Sequence, residues 1–295
     1  MLPPAYRPLA AFAAPARPRA ELWRSLAGLA LIAGLYWLAV LGGLHLLRAL
    51  FGDLAFLHAL AAIGRAASPG AMAVVLATFA PLAMAVLFVA RSLHRRGPAT
   101  LFGPGAASDA LRIALPLAGL ALALMPLVLL DPHVGRSTPL ATVLLWAPLA
   151  LPLLLVQVTA EELVFRGYLL QQIAARTPAP WAWMGLPSLL FGALHYAPET
   201  YGPMALWPVV WAVLFGCLAA DLTARTGNLG GALALHFANN FSAIFLVGLY
   251  GDLDGLALYT VVINPRDPAM LLPYLATDAA MIVVSWLAAR LILRV

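Results

Sequence analysis

The chain has 295 residues, 63% of them hydrophobic and 10% charged, and its mean hydropathy is +0.93. That balance excludes an ordinary soluble domain and points to an all-α polytopic membrane protein. The net charge of +5 comes from 17 arginines and no lysine, set mostly in short loops where basic residues fix topology, so no nucleic-acid partner is inferred.

Residues 1–22 are rich in Pro, Ala and Arg, with Arg7, Arg17 and Arg19 and a short apolar patch broken by Pro15. A secretory signal needs an unbroken apolar core, so this stretch is expected to be a disordered cytoplasmic tail. Apolar runs of the length that crosses about 30 Å of hydrocarbon then recur. They lie near 24–47, 70–91, 109–130, 140–165, 181–198, 204–224, 229–250 and 270–292. About eight spans are therefore expected, forming one bundle over 23–295. The fourth run should continue as a mixed-polarity end from Tyr168 to the stop at Pro178 and Pro180.

Arginine-rich loops at Arg91–Arg96, Arg176, Arg225 and Arg290/Arg294 alternate with poorer ones. This places both termini in the cytoplasm, although Arg48 and Arg65 fit less well. The arginine-only complement points to a bacterial inner membrane. No internal repeat is visible, which weighs against many transporter architectures. The lone Cys217 leaves no intramolecular disulfide and no paired-thiol metal site.

Two of the four glutamates stand side by side in Thr159-Ala-Glu161-Glu162-Leu-Val-Phe165-Arg166-Gly167-Tyr168. On a helix, Arg166 folds back over Glu162 while Glu161 lies one step round the cylinder. One carboxylate is then paired and the other available as a general base; the plainer reading is an interfacial ion pair. Phe191 shares a face with His195, and His236 shares one with Asn240. Counted from the helix ends, His236 lies about 12 Å inside the cytoplasmic boundary, with Glu161 near that side and His195 deeper.

One cytoplasm-facing cavity inside the membrane could collect these groups: a carboxylate to activate water, a histidine to help hold it, and donors for a tetrahedral oxyanion. Glu161, His195 and His236 could also hold zinc with one position open for water. His-Glu-x-x-His, Gly-x-Ser-x-Gly and Gly-x-Ser-Gly are absent. His45, His58, His94 and His133 receive no chemical role. Asp221 reads as an interfacial or packing group, and Gly227, Gly230 and Gly231 around Asn228 as a tight turn with close helix packing.

In order, Glu161-Glu162-Leu-Val-Phe-Arg166, Phe191-Gly-Ala-Leu-His195 and His236-Phe-Ala-Asn-Asn240 resemble the three motifs of the CPBP family. That family contains CAAX-processing and bacteriocin-processing endopeptidases and the abortive infection membrane proteins. The resemblance covers roughly 140–250, which would be the catalytic core. It implies an intramembrane endopeptidase in which Glu161 activates water and His195 assists. His236 and Asn240 would stabilise the oxyanion, and Glu162 and Arg166 would hold the site in shape. It favours a glutamate-dependent mechanism without a cofactor. The implied partner is a membrane-associated protein or peptide substrate; the oligomeric state is not implied. Two other classes fit the same cluster, a proton or cation pathway and a catalytically silent scaffold.

Overall fold

In a computed structural model describing residues 2–295, the expected apolar runs fold as helices. The first, α1 (Arg7–Ala13), lies between short 3₁₀ turns at Pro4–Tyr6 and Ala14–Arg19. Then come α2 (Leu22–Arg65), α3 (Pro69–Ala77), α4 (Phe79–Ser92), α5 (Ala99–Phe102), α6 (Ala106–Val128) and α7 (Leu140–Glu162). The remainder are α8 (Leu170–Ala174), α9 (Leu186–Ala193), α10 (Pro198–Tyr201), α11 (Leu206–Thr226), α12 (Gly230–Phe241) and α13 (Pro268–Leu293). A sharp break at Gly52, with φ 81 and ψ 171, divides α2; that left-handed φ is one glycine adopts without strain.

Among the described residues, six helical segments are long and apolar enough to cross a membrane: α2, α3 with α4, α6, Leu140–Ala174, α11 and α13. Their outward faces carry residues such as Leu38, Leu54, Leu115, Leu145 and Leu291. Apolar side chains facing outward as well as inward are what lipid as solvent permits. The expected spans at 181–198 and 229–250 are shorter: α9 follows a π-helical turn at Trp181–Gly185, and α12 runs into another at Ser242–Leu246. These two shorter helices carry the histidine motifs.

The expectation of a disordered tail is corrected. Leu9 and Ala16 are fully buried, with Phe12 and Ala13 beside them, and α1 packs on α8 and α11. The spacing 9, 12, 13, 16 is an amphipathic helical stripe. Pro15 does not break it because the chain tightens there into a 3₁₀ turn. Tyr6 donates its hydroxyl to Asp221 Oδ1 at 2.7 Å, and the same carboxylate holds Arg225 and Trp286. Asp221 is thus a packing group that latches the N-terminal segment to α11 and α13.

At this end of the bundle Asn228 also donates to Asp109, and Arg112 to the carbonyl of Ile292, so both ends of the chain lie together. A small sheet, which hydropathy gave no sign of, closes the opposite end. It consists of β1 (Val134–Arg136), β2 (Val247–Leu249) and β3 (Tyr259–Val261) in the order β1-β3-β2. Val134 pairs with Val261 antiparallel, and Val247 with Tyr259 parallel.

Two close approaches set the inner helices. A Cβ on Gly192 would collide with Val213 Cγ2 and lie 2.9 Å from the Val209 carbonyl, and one on Gly216 would lie 2.8 Å from Ser188 Cβ. The α9 and α11 helices can therefore meet nearly backbone to backbone, as small residues permit in membranes.

Candidate active site

The site is built where α7 gives way to a π-helical turn at Leu163–Leu169, a local widening found mostly at functional sites. Glu162 and Arg166, four residues apart, are 0% and 1% exposed and meet at 2.9 Å. Arg166 Nη2 also donates to the Gly216 carbonyl at 3.2 Å. Its guanidinium lies over the Phe191 ring at 4.9 Å, with Phe165 and Phe215 each at 5.9 Å. An aromatic cage and a buried carboxylate thus compensate a fully buried positive charge.

His236 joins both glutamates. Its Nδ1 lies 2.7 Å from Glu162 Oε1 and its Nε2 lies 3.4 Å from Glu161 Oε2. Phe215 and Phe191 pack edge-on against the imidazole, at 4.9 and 6.0 Å between centroids. A carboxylate can only accept, so Nδ1 donates to Glu162, and the ring turns its Nε2 toward Glu161. The carboxylates differ in access: the Glu161 side chain is 16% exposed, whereas Glu162 is sealed, with its Oε2 lacking any partner among the described residues.

Asn240, one turn beyond His236 on α12, donates from Nδ2 to Gln157 Oε1 at 3.0 Å. Its Oδ1 accepts from Asn239 at 3.1 Å. Gln157 is buried and lies one turn before Glu161, on the same face of α7. The motif reading missed it; the available signal was a lone amide in an apolar run at helical spacing from Glu161.

His195 stands just past the end of α9, is exposed, and donates from Nδ1 to the Phe191 carbonyl at 2.9 Å. Its ring lies 4.6 Å from that of Phe191, which also touches His236. Phe191 is therefore the common neighbour of both imidazoles. Among the described residues, no group of three or more His, Cys, Asp or Glu side chains is arranged to hold a metal ion.

A second polar layer backs the π-helical turn. His94 meets the Tyr168 hydroxyl at 2.8 Å through Nε2, and its Nδ1 lies 3.1 Å from the Arg19 carbonyl. Ser25 donates to Gln172 at 3.1 Å, and Arg96 bonds Gln171. Burial lowers the pKa of His94 below the usual histidine range and brings that of Arg96 down to about 10. His94, given no role from sequence, is a structural group joining the N-terminal segment to the helix that carries the glutamates.

Fold and site together define a predominantly helical integral membrane protein with a buried Glu-Arg-His cluster beside an accessible carboxylate. Residues 143–242, which contain all six motif residues, match the family model described as Type II CAAX prenyl endopeptidase Rce1-like. That stretch is similar to the Rce1-like family. The chain is also 32% identical over 130 residues to the uncharacterized protein YyaK of Bacillus subtilis (strain 168). This alignment covers 39% of the chain and 44% of the relative, so the chain spans less than half the length of the relative it matches. No solved structure matches.

Proposed function

We propose that the protein is a glutamate-dependent intramembrane endopeptidase that cleaves a membrane-associated protein or peptide near its C-terminus or its membrane-proximal part. The observation that carries this reading is the placement of Glu161, accessible and 3.4 Å from His236 Nε2, beside a sealed Glu162-Arg166 pair. The end of the bundle holding both chain ends faces the cytoplasm, consistent with the arginine distribution.

A water lying beside Glu161 and His236 and touching both gives one proton to Glu161 and directs its other hydrogen to His236 Nε2. Its oxygen attacks the scissile carbonyl carbon, and the carbonyl electron pair moves onto oxygen. The Asn240 Nδ2 hydrogen not used by Gln157 is the donor for that oxyanion. The tetrahedral intermediate then collapses: the C–N bond breaks, and the proton held by Glu161 passes to the leaving amine.

His236 differs here from the role the family resemblance implies. Its Nδ1–H is committed to Glu162, so a ring that carries no proton on Nε2 accepts there and positions the water. His195 Nδ1–H is likewise committed to Phe191, which leaves its Nε2 open to assist from the Phe191 side. Glu162 and Arg166 act through His236 as positioning residues.

No step in this scheme requires a metal. The test uses purified full-length protein with quenched fluorescent peptides carrying a membrane anchor. Cleavage by the natural protein should persist in excess chelator and fall by about 10²–10⁴-fold in Glu161→Gln. Loss of cleavage on chelation, restored by zinc, would overturn the metal-free mechanism.

A further inference from the structure

At the end of the bundle that holds both chain ends, the N-terminal segment and the chain beyond α8 enclose a depression of about 550 Å³. Three guanidinium groups line it, from Arg7, Arg17 and Arg176, over an apolar floor that includes Leu9, Ala10 and Pro178. Arg7 and Arg17 are exposed and form no ion pair or hydrogen bond with any described residue. Arg176 is held by the carbonyls of Ala20, Glu21 and Gln172 and by the Ser25 hydroxyl, none of which carries charge. The carboxylate nearest in sequence, Glu21, is taken by Arg24 at 2.9 Å. Three positive charges thus share one pocket with no carboxylate side chain among its lining residues.

The pocket's level relative to the bilayer comes from different residues. It lies where α2 begins and where the Leu140–Ala174 span ends. Trp23 and Trp181, 60% and 73% exposed, flank it in sequence on both walls. Exposed tryptophans at span ends sit at the headgroup layer. A basic, partly apolar pocket at that level matches a phosphate joined to a glycerol and acyl chains, because guanidinium forks bind phosphate oxygens in pairs while the floor takes methylenes.

We propose that this pocket binds the phosphate of an anionic phospholipid, with Arg7 and Arg17 as the free donors and Arg176 behind them. The bound lipid fastens the N-terminal segment, through Arg7 and Arg17, to the chain beyond α8 at Arg176. This inference stands apart from the protease reading, since it uses none of the motif residues.

Native mass spectrometry of the full-length protein, released from detergent with equal amounts of phosphatidylglycerol and phosphatidylcholine, tests it. The phosphatidylglycerol adduct should exceed the phosphatidylcholine adduct several-fold. In Arg7→Gln/Arg17→Gln that ratio should fall to near unity, whereas Arg48→Gln should leave it unchanged. Both replaced side chains are exposed and unpartnered, so an unchanged melting temperature is expected and confirms that the variant is folded. An unaltered ratio in the double variant, or no preference in the natural protein, would overturn the proposal. Loss of the preference on adding inorganic phosphate at constant ionic strength would assign the pocket to a soluble phosphate and overturn the lipid reading.

Discussion

Two neighbouring glutamates in this chain have different physical situations, and replacing each should have a different effect. Glu161 is accessible, so its amide variant should fold normally. Glu162 is sealed between Arg166 and His236, at 2.9 and 2.7 Å. In Glu162→Gln the buried guanidinium loses its counter-charge, which should cost about 3–5 kcal/mol. Thermal unfolding in detergent measures this; a melting temperature equal to the natural protein's would contradict the assigned pairing. The Glu162-Arg166 contact was legible in sequence because a four-residue spacing fixes neighbours on a helix. The bridge from His236 to both carboxylates was not, since it joins residues 74 positions apart. Nor was the bond from Asn240 to Gln157, 83 positions apart, because one amide in an apolar run has no motif of its own.

His94 gives the pH dependence at the same scale. Burial holds its pKa below the unfolded value, so the folded chain favours the neutral ring. The stability this confers is complete above the unfolded pKa of about 6.5 and is lost as pH falls below it, because the unfolded chain then binds the extra proton. The melting temperature should drop from pH 7.5 to 5.5, and less steeply in His94→Gln. An equal slope in that variant would show that His94 does not titrate with folding.

Among the elements, α9 is placed by close approach to α11 and brings Phe191 and His195 with it. Gly192→Val would put side-chain atoms where Val213 and the Val209 carbonyl already lie. It should separate the helices, with a cost of about 1–3 kcal/mol from overpacking and reduced turnover. Melting and initial rate measured on one preparation check this; a variant with natural stability would refute the packing. Long apolar runs made most helices readable from hydropathy alone. The π-helical turns were not readable, because an apolar segment has similar composition whether its bonds run to the fourth or fifth residue. Three-residue strands are too short to show alternation. The N-terminal segment was misread because its 9-12-13-16 stripe crosses Pro15, a residue that ends an α-helix but fits a 3₁₀ turn.

For the whole molecule, composition established the membrane class, and the order of three motifs located the site within 140–250. How the site is supported required the fold. The N-terminal segment, α2, the turn after α4 and α8 meet around His94, Gln172 and Arg176, and no local pattern announces a junction of four distant pieces. The function proposed above is that this bundle hydrolyses peptide bonds in membrane-associated proteins through Glu161. The most direct measurement is a mass-spectrometric comparison of membrane-protein termini in cells making the natural protein or Glu161→Gln at equal, verified membrane levels. New termini present only with the natural protein are predicted, and they would name the substrate and the bond together. Identical termini in the two populations would contradict the claim.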